Sequence, residues 1–327
     1  MDAQAFAEFR AEIIRLHRSG EHNRALALAT HEGDRFPEWG GRVAFWRACL
    51  ATRLGDIALA VAVLDEALAR GYWFPQHFLR EDEDLRPLQG LPAFASIMAN
   101  SRERQAVMEA EAKPDLLIRE PTHEASRATS FLLALHGSNQ NARDAAAVWR
   151  PALSLGLLLA LPESGQPSSD ARDTRRRVWT DREQAVLEVQ MHWGTVSQRY
   201  ALDPERSVIG GFSAGGHLAL WLILAAMIPV RRFFVVAPSL PPGMLAELIA
   251  LAEQGAARAT RGFIVVGEQD RWSHAGSHTL AASLRGGGAA CEVETHPALG
   301  HDFPPTFASS LKRGLTFLQG DSASDGR

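Results

Sequence analysis

The sequence predicts an α/β protein: a doubly wound, mainly parallel sheet preceded by an all-helical domain. Three observations point to it. Up to about Ala112 the apolar residues recur at helical spacing, and nothing there alternates like a strand. Beyond Lys113, short continuous apolar runs alternate with helical patterns, as in a parallel sheet covered on both faces. The polar residues of those runs fall at their carboxyl ends, where such sheets carry their active groups. A length of 327 residues leaves room for two domains, and 46% hydrophobic with 22% charged residues excludes a disordered or fibrous chain.

The helical domain, residues 1–112, contains amphipathic stretches such as "FAEFRAEIIRLHRSG" and "IALAVAVLDEALARG". "SGEHNRALAL" and "LGDIALAVAV" align with Gly20 over Gly55 and Ala25 over Ala60, an offset of 55 − 20 = 35. The segment resembles a degenerate pair of tetratricopeptide repeats, in which Gly turns the chain between two helices and a small Ala lets them approach. "EDEDLRPLQGLPAFASIM" resembles the helical segment that comes after the last such repeat.

Pro114 and Pro121 then punctuate a short apolar run, "LLI", at the domain boundary. Strands are expected at "FLLALHG", "LLLALPES", "SVIGGF", "RFFVVAPS", "GFIVVGEQD" and "CEVETHP", with helices over "DREQAVLEVQMHWGTVSQRY" and "HTLAASLRGG". This domain is expected to span residues 113–320 and to end in a flexible tail, 321–327.

Several partner classes drop out. Net charge is −4 and no Lys/Arg run is interleaved with aromatics, so no nucleic-acid surface is expected. "DTRRRVW" reads as a solvated loop. Cys49 and Cys291 read as small buried hydrophobes, with no CxxC pattern or disulfide framework. "MDAQAFAEFR" lacks the basic and apolar regions of a secretory signal. The run "LALWLILAAMIPV" is shorter than the roughly 20 residues of a membrane span. A cytoplasmic protein without a membrane span is expected.

One pentapeptide carries chemistry. Gly211-Phe212-Ser213-Ala214-Gly215 fits G-x-S-x-G directly after a strand and before a helix. A serine on so sharp a turn has strained backbone angles, and small neighbours let strand and helix approach. The helix N-terminus then points its N–H groups at a developing oxyanion. Serine needs a base, and the base needs an orienting group. Asp270 closes "FIVVGEQD", with Glu268 as rival, and His301 lies in "ALGHDFPP"; the order Ser213, Asp270, His301 suits a nucleophile, orienter and base. An oxyanion hole is expected from the N–H of Ala214 and one after His136-Gly137, Ser138 being favoured and Asn139 the alternative. His136 reads as an anchor of that loop, and His217 as a packed helix residue. His274 and His278, four apart, lack a third metal ligand, and the side chain of Asp302 should point away from the base. No cofactor or metal is expected.

With these residues, "LALHG", "LLLALPES", Trp179-x-Asp181, "YALDPERSVIGGFSAGG" and "LGHDF", the stretch from Asp115 to Gln319 resembles the α/β-hydrolase superfamily. Its phospholipase/carboxylesterase and dienelactone-hydrolase-like branch is the nearest in these motifs. The resemblance implies a serine esterase acting on a small or medium acyl ester through an acyl-serine, with Ser213 as nucleophile, His301 as base then acid, Asp270 as orienter, and Ser138 with Ala214 as oxyanion donors. A thioesterase or serine peptidase would use the same triad. An interaction module with a scaffold hydrolase domain is the reading from another class. Two departures stand out. The loop after His136-Gly137 reads Ser-Asn-Gln-Asn, without a further glycine, and the helical domain is foreign to the compact members. That domain could shape the active-site mouth, recruit a protein or mediate self-association.

Overall fold

The computed structural model describes residues 3–121, 129–170, 172 and 175–320. The expected flexible tail, 321–327, lies outside the described residues, as do Asp173 and Thr174 of the basic patch. The chain divides into two compact units.

The first unit comprises residues 1–113 and also 167–176, which the sequence reading leaves in the second domain. Its helices are α1 (Ala3–Arg18), α2 (His22–Glu32), α3 (Gly40–Arg53), α4 (Ile57–Ala69), α5 (Gln76–Glu81) and α6 (Pro92–Glu111). The 35-residue offset has a geometric meaning. Gly20 and Gly55 sit at φ 76° and 79°, one after α1 and one after α3. Each helix closes with a bond running back across its glycine, Glu21 N–H to the Leu16 carbonyl and Asp56 N–H to the Ala51 carbonyl, both 2.9 Å. Ala25 and Ala60 are fully buried, where larger side chains would part the helices. Cys49 is buried on α3, and burial pushes its thiol pKa up.

The second unit holds the sheet: β1 (Asp115–Arg119), β2 (Thr129–Leu135), β3 (Leu158–Glu163), β4 (Leu202–Phe212), β5 (Arg232–Val236), β6 (Arg261–Gly267) and β7 (Ala290–His296). Their spatial order is β1-β3-β2-β4-β5-β6-β7. All neighbours run parallel except β1, which lies antiparallel on β3. The six expected strands are present, and β1 is an addition built on "LLI". It escapes sequence reading because three apolar residues between charged ends carry no usable period.

Alternate side chains of β2 serve opposite faces. Phe131, Leu133 and Leu135 pack with α9 (Arg182–Arg199), α10 (Ala214–Leu224), α11 (Pro242–Leu251) and α12 (His274–Gly286). Leu132 and Ala134 pack with α7 (Ala142–Trp149), α8 (Pro151–Ser154) and α13 (Phe307–Gln319). Nine of the eleven residues of α10 are buried, which explains a sequence that is apolar apart from His217. Among the described residues, no helix is long and apolar enough to cross a membrane. Cys291, buried in β7, has its thiol pushed up to about 12 by burial.

From β2 the chain moves to β3 on one side and then returns to β4 on the other. The connections leaving the carboxyl ends of β2 and β4 therefore diverge, opening the crevice in which such sheets bind ligands.

Candidate active site

Ser213 joins β4 to α10 with φ 53° and ψ −116°, a conformation costing about 1–3 kcal/mol that its surroundings must hold. Three backbone bonds hold it. Its N–H donates to the Val236 carbonyl at 3.1 Å, while its own carbonyl accepts from Ser239 at 2.9 Å and His217 at 3.0 Å. The flanking glycines are steric necessities. A Cβ at Gly211 would lie 2.4 Å from the Gly215 carbonyl, and one at Gly215 would lie 2.4 Å from the His136 carbonyl oxygen. The turn is thus pressed against both its own helix and the end of β2.

The loop after β6 and the loop after β7 converge on the serine. The Gln269 N–H donates to the Leu299 carbonyl at 2.9 Å, tying the two loops together. His301 places Nε2 2.8 Å from Ser213 Oγ and Nδ1 2.7 Å from Asp270 Oδ2. Asp270 is 1% exposed, and its Oδ1 accepts the N–H groups of Trp272 at 3.0 Å and Ser273 at 3.1 Å. Burial acts to raise the Asp270 pKa, but the hydrogen bond and charge of His301, with bonds from Trp272 and Ser273, outweigh it and hold the pKa below the ordinary carboxylate value. An acceptor-only carboxylate assigns the proton of the neutral imidazole to Nδ1, leaving Nε2 to accept from the serine hydroxyl. Glu268 is exposed on the same loop, and the Asp302 carboxylate turns back to accept its neighbour Phe303 N–H at 2.7 Å.

The loop after β2 manages without a second glycine. Asn139 takes the left-handed conformation itself, at φ 60°, and the Gln140 N–H closes the turn on the Gly137 carbonyl at 3.2 Å. The Gln140 side chain accepts the Gly137 N–H at 2.8 Å. The Asn139 N–H donates to the Arg177 carbonyl at 2.8 Å, so it is not free to bind an oxyanion. Ser138, exposed, and Ala214, the first residue of α10, have N–H groups without an acceptor among the described residues.

A serine on a strand-to-helix turn at the switch point of a mainly parallel sheet, with Asp and His on the strand-end loops beyond it, decides the fold. The chain has an α/β-hydrolase fold. Residues 5–110 match the family model of an A/B hydrolase-like, N-terminal domain. The tetratricopeptide likeness of that segment rests on the glycine and alanine offset alone. Over nearly its whole length the chain is similar to the crystal structure of an uncharacterized protein from Bacillus cereus ATCC 10987: 24% identity, TM-score 0.54, covering 96% of this chain and 98% of that one. It is also similar to esterase PE8 (17% identity, TM-score 0.49, covering 62% and 97%) and to the Bacillus cereus carboxylesterase (18%, 0.49, 64% and 97%). No curated protein matches the chain.

In this α/β-hydrolase fold, His136 holds the loop after β2 from below. Fully buried, it places Nδ1 2.8 Å from the Gly137 carbonyl and Nε2 3.2 Å from the Ser164 N–H, while Trp179 Nε1 donates to its carbonyl at 2.8 Å. Glu188 accepts the Ser164 hydroxyl at 3.3 Å and the Gly165 N–H at 3.1 Å. Sequence reasoning gives no role to Ser164, Glu188, Gln140 or Arg177, although Ser164 ends "LLLALPES", Gln140 lies in the Ser-Asn-Gln-Asn loop and Arg177 in "DTRRRVW". Burial lowers the His136 pKa from the ordinary 6.5 to about 4. The unfolded chain therefore binds this proton more readily between those values, so the contribution to stability is full above about pH 6.5 and is lost as pH falls towards 4. His136→Gln, which keeps a polar side chain but does not titrate, is expected to flatten the fall in urea midpoint across that window. An unchanged slope would remove His136 as its cause.

The remaining histidines lie elsewhere. His217 is buried on α10, its pKa lowered by burial, with Nδ1 lacking a hydrogen-bond partner among the described residues. His274 and His278 pack ring against ring at 4.8 Å, and His278 Nε2 lies 3.1 Å from the Thr295 hydroxyl.

Proposed function

We propose that the protein is a serine hydrolase of carboxylic esters, working through an acyl-serine intermediate without a metal or cofactor. The observation that carries this reading is the unbroken hydrogen-bonded chain from Ser213 Oγ through His301 to buried Asp270. Ser213 Oγ attacks the ester carbonyl carbon as its proton passes to His301 Nε2. Asp270 keeps the imidazole in the accepting tautomer and stabilises the imidazolium that forms. Negative charge on the former carbonyl oxygen is met by the N–H groups of Ser138 and Ala214, each such donor typically supplying about 2.7–4 kcal/mol in the transition state. Collapse breaks the bond to the leaving oxygen, which takes the proton from His301 and departs as an alcohol. Water then gives a proton to His301 and attacks the acyl-Ser213; the carboxylic acid leaves and the serine recovers its proton. The substrate assigned to this chemistry is a small or medium acyl ester.

A panel of p-nitrophenyl esters, matched thioesters and peptide anilides, each run from acetyl to decanoyl, tests the reading. Turnover is expected to be highest on a short or medium oxyester. Preference for the thioesters or anilides in kcat/KM would replace the esterase assignment with a thioesterase or peptidase, and an inactive protein would revive the scaffold reading.

A further inference from the structure

The second unit carries a groove that the proposed reaction does not use. It measures about 740 Å³, the size of an ordinary small-molecule site, and lies between α13 on one side and the end of α7 with α8 on the other. Every residue lining it belongs to that unit. Val148, Pro151 and Leu155 line one wall, and Phe303, Pro304 and Phe307 the other, so the surface is mostly apolar. Its aromatic floor is braced from beneath. The centre of the Phe303 ring lies 4.9 Å from that of Phe307 and 5.9 Å from that of Trp149, both edge to face, and Trp149 is fully buried. Leu155 is exposed, and Phe303 partly so, which leaves apolar surface open to a ligand.

Charge at the groove is one-sided. Arg150 and Lys312 both line it, and no acidic side chain does. Both cations are exposed, and neither has an ion-pair partner among the described residues. The neighbouring residue on α13 behaves differently: Arg313 donates to the Glu294 carboxylate at 2.6 and 3.0 Å. Of two adjacent cations, then, the one at the groove is left without a counter-charge. Unpaired positive charge beside an apolar floor is complementary to a molecule with a hydrocarbon body and an anionic end. Ser154 and Ser309 are the only other polar side chains in the lining, too few for a ligand as polar as a sugar or a nucleotide.

The groove adjoins the triad without belonging to it. Phe303 comes two residues after His301, and its ring centre lies 4.8 Å from that of Phe212, which is 5.2 Å from the His301 ring. Ser213, Ser138 and Ala214 are absent from the lining, so a ligand there is not the reacting ester. We propose that the groove binds a free fatty acid anion, its chain lying over Phe303, Phe307 and Leu155 and its carboxylate met by Arg150 and Lys312. This goes beyond the esterase reading and does not depend on it. The methylenes supply affinity through apolar burial, and the two cations select for the charged end.

The test uses the full chain and decanoate. Lys113 and Lys312 are its only lysines, so reductive methylation with isotope-labelled formaldehyde gives each a resolvable methyl resonance, and Lys312→Arg assigns them. Decanoate is expected to shift the Lys312 resonance saturably and to leave that of Lys113 in place, whether or not Ser213 carries a phosphonyl group. By calorimetry, affinity is expected to rise about two- to fourfold per added methylene from hexanoate to decanoate. Arg150→Glu and Lys312→Glu, at exposed positions and with folding checked by circular dichroism, are each expected to weaken binding on the order of tenfold, and decanol to bind less tightly than decanoate. Absence of saturable binding, or binding that leaves Lys312 unmoved, would overturn the inference. So would decanol binding as tightly as decanoate, or a chain that takes no decanoate and dimerises through this groove, becoming monomeric with Arg150→Glu. Binding abolished by the phosphonyl group would give the ligand to the triad instead, overturning the groove site while leaving the esterase reading intact. A wild type inactive on every ester would overturn the esterase reading alone, because none of these measurements needs turnover.

Discussion

Ser213→Ala is expected to lower kcat for a p-nitrophenyl ester on the order of 10⁴-fold or more, with KM little changed. The size comes from what the hydroxyl does. His301 Nε2 lies 2.8 Å from Oγ, so the proton and the nucleophile leave the active site together when the oxygen is removed. Binding and an oxyanion hole remain, and these accelerate attack by water roughly 10³–10⁴-fold, far short of the complete triad. Alanine keeps the backbone of the turn and the three main-chain hydrogen bonds of residue 213, so the variant should fold. Initial rates over a substrate series, with circular dichroism to confirm folding, check it; a loss below about tenfold would mean that another nucleophile is at work.

Asp270→Asn is expected to cost about 10⁴-fold in kcat, through a proton in the wrong place rather than through lost charge alone. Oδ1 of Asp270 accepts two backbone N–H groups, from Trp272 and Ser273. An asparagine would keep its carbonyl oxygen there and turn its NH₂ towards His301 Nδ1. That nitrogen must then become the acceptor, so the imidazole proton moves to Nε2, which faces Ser213 as a donor and cannot take its proton. The steady-state rate and the rate of phosphonylation should fall together, with the melting temperature changed far less than by a core truncation. A fall of less than about tenfold would show that Asp270 does not set the tautomer.

The parts of the site that are legible in sequence share a local cause. Gly211 and Gly215 announce the turn at Ser213 because steric demands act on immediate neighbours, and a Cβ at either would strike backbone. Asp270 and His301 can be found because a parallel sheet places its polar strand ends on one edge. The turn glycines Gly20 and Gly55 are legible for the same local reason, and their left-handed φ accounts for glycine at both places without requiring a tetratricopeptide origin. Less local features stay hidden. Asn139 stands in a conformation usually given to glycine, which no spacing betrays. The antiparallel edge strand β1 has too few apolar residues to show a period, and its partner β3 lies about 40 residues on, beyond any sequence window. The contact of Arg42 with Asp170 is further still from local logic: the two are 128 residues apart, and only Gly41, with the Ser169 carbonyl crossing where its side chain would be, marks the place.

Whether Ser213 is the nucleophile is best decided by intact-protein mass spectrometry after reaction with one equivalent of a fluorophosphonate, then peptide mapping, on the wild type and on Ser213→Ala. A single phosphonyl group on Ser213 in the wild type, and none on the variant, is the expected result. A wild type that hydrolyses esters but carries no adduct on Ser213, or a variant labelled as readily as the wild type, would show that the acyl group is carried elsewhere.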